Sequence, residues 1–177
     1  EFQEMNSRKG ELMENFSMPY GMNKDQLLQN LDTVERLSST SKFQRMLYNP
    51  FKYFYAIIFR EFFYKKTKQT LKVTASTFFG KEMQILLPSS TDIYLTRGKS
   101  HDSEIRLARF LIRKLIAGDS FYDIGAHYGY FTMLASALVG KSGHISAFEA
   151  SSVTFGILKE NTASSPNVKI KNCAISD

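Results

Sequence analysis

The residues with the clearest chemical content lie in the run Phe121-Tyr122-Asp123-Ile124-Gly125-Ala126-His127-Tyr128-Gly129-Tyr130. A glycine turn here separates a stretch that reads as a strand from one that reads as a helix. Turns of this kind bind ligands at the carboxyl edge of a parallel sheet. Gly125 can take a positive φ and lets a ligand approach the backbone closely. Gly129 opens the helix with no side chain in the way, and the helix start offers N–H groups to a polar or anionic ligand. Glu149 follows Gly125 by 24 residues and ends the next strand, where an acid can accept both hydroxyls of a ribose.

Two ligand classes compete for this constellation. A dinucleotide site needs G-x-G-x-x-G, because the backbone must touch a pyrophosphate. Here His127 occupies the middle position, and Asp123 sets an acid before the turn. A ligand without a pyrophosphate, carrying an amino-acid end and a sulfonium, fits better, because Asp123 favours its positive charge. Each piece also has a plainer reading. The glycines can be packing residues, Asp123 a helix-capping acid and Glu149 a solvated strand end. Their joint spacing inside one βαβ unit favours the ligand site.

The flanking elements supply the frame. Apolar spacing predicts helices over Asn23 to Ser38 and Lys42 to Tyr48, then one opening at Pro50 with Phe51, Phe54, Tyr55, Ile58 and Phe62 on a single face. Period-two writing over Leu71 to Phe79 and Glu82 to Leu87 flanks Gly80-Lys81 and predicts a hairpin with a tight turn. Asp92 to Thr96 reads as a further short strand. A helix capped by Asp102 or Ser103 and stopped by Gly118 buries Ile105, Ala108, Leu111, Ile112 and Leu115. Strand Phe121 to Ile124, helix Tyr130 to Val139, strand Gly143 to Phe148, helix Ser151 to Asn161 and strand Val168 to Ala174 complete βαβαβ, which implies a parallel sheet with right-handed crossovers. Residues 1–22 show no lasting period and are expected to be a loose tail.

Bulk properties narrow the classes. The chain has 177 residues, 43% apolar and 23% charged, ordinary for a soluble globular protein. Its longest apolar run, Tyr53 to Phe59, is far short of the ~20 residues a spanning helix needs. The first residues lack the pattern of a secretion signal. With Cys173 the single cysteine, an internal disulfide and a cysteine-rich metal site are excluded; we expect core packing for it and a cytoplasmic, reducing setting. The net charge of +6 is local, since 41–72 holds eight basic residues, ten aromatics and one acid. The first expectation for that segment is a helix packing its aromatic face on the domain. Peripheral contact with a membrane or lipid-linked substrate comes next. Nucleic acid comes last, because no RNA-binding motif accompanies the aromatics.

On Phe121 to Tyr130, Gly143 to Glu149 and Asn167 to Asp177, the sequence resembles the FkbM-like family of class I S-adenosylmethionine-dependent methyltransferases, from about Phe79 to the end. The resemblance implies a Rossmann-like, doubly wound parallel α/β sheet, present here as a truncated βαβαβ portion within an incomplete domain at 71–177. A helical, basic, aromatic-rich segment (1–70) and the hairpin precede it. It implies S-adenosylmethionine as cofactor and a hydroxyl on a saccharide or related small metabolite as acceptor. Asp123, Gly125 and Ala126 would line the methionine end, with His127 and Gly129 completing the turn, and Glu149 would hold the ribose. Ser176 and Asp177 match a stretch that contacts adenine, and Glu104 an acid before the first helix, for which a solvated helix-start role is the default. His127 stands where relatives have asparagine and is read as a turn residue. Ala150 replaces a common proline. Tyr128 and Tyr130 can face the cofactor or pack in the core. No metal site and no general base are assigned.

The family's sheet has seven strands, and this chain writes three of its core. It is therefore expected to be a fragment of a longer protein, or to cover an open sheet edge by self-association. The competing function is a non-catalytic membrane-surface or assembly module that keeps half of the fold. A nicotinamide oxidoreductase is disfavoured by the missing middle glycine.

Overall fold

The computed structural model describes residues 22–175; the expected tail over residues 1–21 and the adenine contacts of Ser176 and Asp177 lie outside them. The first element of the described residues is helix α1 (Lys24–Ser39), whose Asn23 and Gln26 form a reciprocal capping box. Leu27, Leu31, Val34 and Leu37 are buried along one face of it, the spacing read from the sequence. Burying a leucine stabilises by about 1.5–3 kcal/mol, so this stripe fixes α1 on the body of the protein. Helices α2 (Lys42–Tyr48) and α3 (Pro50–Ile58) follow, and α3 runs on through a π-helical segment (Phe59–Tyr64) into a last turn (Lys65–Thr67).

Strands β1 (Leu71–Ser76) and β2 (Glu82–Leu87) pair antiparallel, with Leu71 opposite Leu87 and Ser76 opposite Glu82. The connection is longer than the tight turn expected from Gly80-Lys81. Thr77 closes it by exchanging bonds with Lys81, and Phe78 and Phe79 turn into the core instead of extending the strand. Helix α4 (Thr91–Thr96) replaces the expected strand over Asp92 to Thr96. Ile93 and Thr96 are buried three apart, and the Asp92 side chain accepts the Ile93 N–H, a local bond that favours a turn over a ladder. Helix α5 (Asp102–Lys114) starts after His101, so Asp102 and Ser103 lie inside its first turn rather than at the cap. It ends before Leu115, ahead of the expected stop at Gly118.

The remainder is β3 (Ser120–Ile124), α6 (Tyr130–Val139), β4 (His144–Phe148), α7 (Ser152–Thr162) and β5 (Val168–Lys171). The three strands form one parallel sheet in the order β3-β4-β5, with Asp123 opposite Ala147 and Ala147 opposite Ile170. This is a mixed α/β fold. β5 is shorter than the sequence suggested, because the Asn172 side chain turns back to donate to the carbonyls of Glu149 and Ala150. Cys173 beyond it is exposed, correcting the expectation of core packing. β3 lies at an edge of the sheet, with Tyr122 and Ile124 about two-thirds exposed at 67% and 66%.

One large core joins α1, the hairpin, α4, α5 and α6 through Leu31, Phe79, Ile85, Ile112 and Leu134. Helix α1, which precedes residue 70, shares this core with the elements that follow it. Segment 42–67 stands apart from that core: of its residues only Ala56 is buried, and Phe51 is 88% exposed. The expectation that its aromatic face packs on the domain is overturned. No helix among the described residues is long and apolar enough to cross a membrane.

Candidate functional site

The glycine turn leaves β3 at Ile124 and enters α6 at Tyr130, at the carboxyl edge of the parallel sheet. The N–H groups of Gly125 and Ala126 both donate to the Phe148 carbonyl at 2.9 Å, which ties the turn to the end of β4. The His127 N–H donates to Glu149 Oε2 at 2.8 Å, and the Gly129 N–H to the Ala126 carbonyl at 2.8 Å. The turn's early amides are thus committed to acceptors within the protein. These amides precede the helix start, and with them committed the turn itself leaves few N–H groups for a pyrophosphate. It suits a ligand that reaches the turn without phosphates.

The two glycines have different reasons. Gly125 has φ +76°, and a Cβ placed on it would meet nothing within 4 Å; its bare backbone faces open space. Gly129 has φ +88°, and a Cβ there would lie 2.7 Å from Leu158 Cδ1. Its lack of a side chain lets α6 and α7 approach. His127 also takes a positive φ, 53°, a strained conformation for a side-chain-bearing residue. Its ring lies 3.8 Å from the Tyr128 ring, and burial together with the Lys99 charge holds its pKa below the usual histidine value, against the opposing pull of Glu149 and Glu104.

Glu149 is buried at 8% exposure. Burial pushes its pKa up, but hydrogen bonds from the Ser151 N–H, the Thr154 hydroxyl and the His127 N–H together outweigh burial and hold it below the ordinary glutamate range. Oε1 accepts from Ser151 N at 2.9 Å and Thr154 Oγ1 at 2.8 Å. A carboxylate has about four lone-pair positions, so three donors leave room for one more, at Oε2. The sequence expectation of two ribose hydroxyls is reduced to one unless Thr154 yields its bond. Asp123, half-buried beside it, behaves oppositely. Burial raises its pKa and the nearby Glu149 charge adds to this, while Thr132, whose buried hydroxyl donates to Asp123 Oδ2, lowers it in part.

A shallow cleft partly open to solvent is lined by Gly125, Ala126, His127 and Tyr128 together with Lys99 and Glu104. Lys99 Nζ lies 3.3 Å from Glu104 Oε1. Asp92 holds the intervening loop by accepting the Ser100 N–H at 3.2 Å, and Tyr130 Oη accepts the Lys99 N–H at 3.3 Å. Tyr128 and Tyr130 are themselves 4% exposed and belong to the core. On the far side Asn161 donates to the carbonyls of Tyr128 and Gln84 and accepts the Gln84 N–H, at 2.7, 2.9 and 2.6 Å. It clamps the turn to the free edge of β2.

The structure thus brings Asp123, Gly125, Ala126, His127, Gly129 and Glu149 together at one sheet edge, with Glu104 lining the same cleft. Lys99, Thr132, Thr154 and Asn161 were not identified from the sequence. Thr154, in the first turn of α7 and five residues after Glu149, carried a positional signal; Lys99, in a loop, carried none.

No protein-family model matches the chain, and no curated protein matches it in sequence. Among solved structures it is similar to a protein-L-isoaspartate O-methyltransferase, with 14% identity and a TM-score of 0.39 over 84% of this chain and 42% of that one. The chain therefore spans less than half the length of that structure.

Proposed function

We propose that this site binds S-adenosylmethionine and that the protein to which it belongs is an FkbM-like methyltransferase, acting on a hydroxyl of a saccharide or related metabolite. One observation carries the reading. The strand-end carboxylate of Glu149 is bonded directly to the glycine turn whose bare backbone at Gly125 faces open space, so a single nucleoside can touch both.

The residues present fit the cofactor's parts. Glu149 has one acceptor position left for a ribose hydroxyl, and its lowered pKa keeps it charged at neutral pH. Gly125 admits close approach. Lys99 and Glu104 line the same cleft with opposite charges, suited to the carboxylate and ammonium of an amino-acid end. S-adenosylmethionine supplies a methyl group on a sulfonium, open to in-line attack by an oxygen nucleophile. The chain's own contribution is positioning, which can lower a barrier by several kcal/mol when reacting atoms are held about 3–3.5 Å apart.

A second reading has its own observation. Glu149 already accepts three bonds, so it can act as a structural strap in a non-catalytic module. Calorimetric titration of the intact protein with S-adenosylhomocysteine separates the two. Binding that Glu149→Gln weakens about tenfold or more supports the enzyme, and absence of heat from the unaltered protein ends it.

A further inference from the structure

Segment 42–67 carries a feature independent of the glycine-turn site. Along α3 and its π extension, Phe51, Phe54, Ile58 and Phe62 are exposed at 88, 52, 50 and 64%. They recur at helical spacing, so they form one stripe rather than scattered contacts. Phe43 and Leu47 of α2 are also exposed, at 62 and 63%. Exposed apolar surface in one short stretch of chain marks an interaction site. The opposite side of α3 is seated on the domain through the buried Ala56, with Lys52 held 5.1 Å over the Tyr94 ring.

The charge around the stripe identifies what covers it. Eight basic residues and one acid lie within 41–72; Lys52 and Lys72 are engaged with the domain, over Tyr94 and on Glu160, while Lys65, Lys66 and Lys68 cluster where the helix ends. Six of those eight are lysines. Lysine is depleted from protein–protein interfaces, but its long stem can lie along apolar surface while the ammonium reaches phosphate. A second copy of the chain is disfavoured, because a two-fold interface sets each patch against itself and would oppose like charges. The exposed phenylalanines can stack single-stranded bases, but Ile58 and Leu47 continue the same apolar surface with side chains that stack none, which burial in lipid accommodates and base stacking does not. We propose that α2 and α3 dock on an anionic lipid surface, with the phenylalanine stripe in the headgroup–acyl boundary and the lysines on lipid phosphates.

Co-sedimentation of the full chain with vesicles of phosphatidylcholine, with and without phosphatidylserine, tests this. Binding is expected to the anionic vesicles and to fall about tenfold or more with zwitterionic ones or at 0.5 M salt. F51S/F62S and, separately, K65A/K66A/K68A are each expected to weaken binding about tenfold. These residues are exposed, so unchanged thermal unfolding certifies that both variants fold. No binding to anionic vesicles, or equal binding by F51S/F62S, overturns the proposal. So does a dimer of the unaltered chain that F51S/F62S dissociates, or binding of single-stranded oligonucleotide in place of vesicles.

Discussion

Glu149 Oε2 accepts the backbone N–H of His127 at 2.8 Å, joining the end of β4 to the middle of the glycine turn that follows β3. The turn that carries the bare backbone of Gly125 is therefore tied to a carboxylate that accepts two further hydrogen bonds at Oε1. Glu149→Gln turns one acceptor oxygen into a donor facing N–H groups. A hydrogen bond to a charged acceptor contributes about 1.5–3 kcal/mol. We expect S-adenosylhomocysteine affinity to fall about 10- to 100-fold and the melting temperature to drop, read by calorimetry and thermal unfolding. Thr154→Val removes one donor but leaves the charge, so it should lower stability while largely sparing affinity. Equal loss of affinity in both variants would make Glu149 a strap alone.

The two glycines predict opposite patterns. Gly125→Ala meets no neighbouring atom, so its cost is backbone strain of about 1–2 kcal/mol, while the new methyl intrudes on the ligand's approach. Affinity should suffer more than stability. Gly129→Ala adds a clash with Leu158, so stability should fall by more, about 2–4 kcal/mol, and Leu158→Ala in the same chain should relieve the clash. Denaturant unfolding of the three variants tests this; indifference of Gly129→Ala to Leu158 would refute it.

Asn161→Leu would leave the Gln84 N–H and the carbonyls of Gln84 and Tyr128 without their partner. Each unsatisfied buried group costs about 1–3 kcal/mol, and partial access of water at β2 reduces the sum, so a loss of about 3 kcal/mol is expected in urea unfolding. A loss under 1 kcal/mol would mean that the clamp is dispensable.

Asp123 and Glu149 pull stability in opposite directions with pH. Asp123 has a raised folded pKa, so its contribution is fully present below about pH 4, the ordinary aspartate value, and is lost as pH rises through the folded value. Glu149 has a lowered one, so its contribution is present above the ordinary glutamate range and is lost as pH falls through the folded value. Between about pH 3 and 7, Asp123→Asn should therefore gain on the unaltered chain as pH rises above about 4, whereas Glu149→Gln should lose ground as pH rises toward about 5 and hold level above it. Melting temperatures across that range read both slopes, and a flat difference for Asp123→Asn would contradict its raised pKa.

In the same cleft, Lys99→Met should weaken S-adenosylhomocysteine about tenfold yet leave the affinity for its decarboxylated analogue unchanged, because only the former carries a carboxylate. Equal weakening of both ligands would remove Lys99 from the amino-acid end.

The sequence by itself determined whatever depends on neighbours a few positions away. The α1 stripe, the βαβαβ order, the start of α3 at Pro50 and the turn at Gly125 are written in apolar period and in residues with special backbone freedom. The tertiary structure decided what depends on partners far along the chain. Thr91–Thr96 became a helix because Ile93 and Thr96 found buried places three apart. Cys173 became exposed because Asn172 reached back to the Glu149 and Ala150 carbonyls and ended the strand. The phenylalanine stripe reads the same whether it is buried or faces outward, since periodicity names a face and not what lies against it. Lys99 and Asn161 joined the site only when folding closed separations that no local pattern encodes.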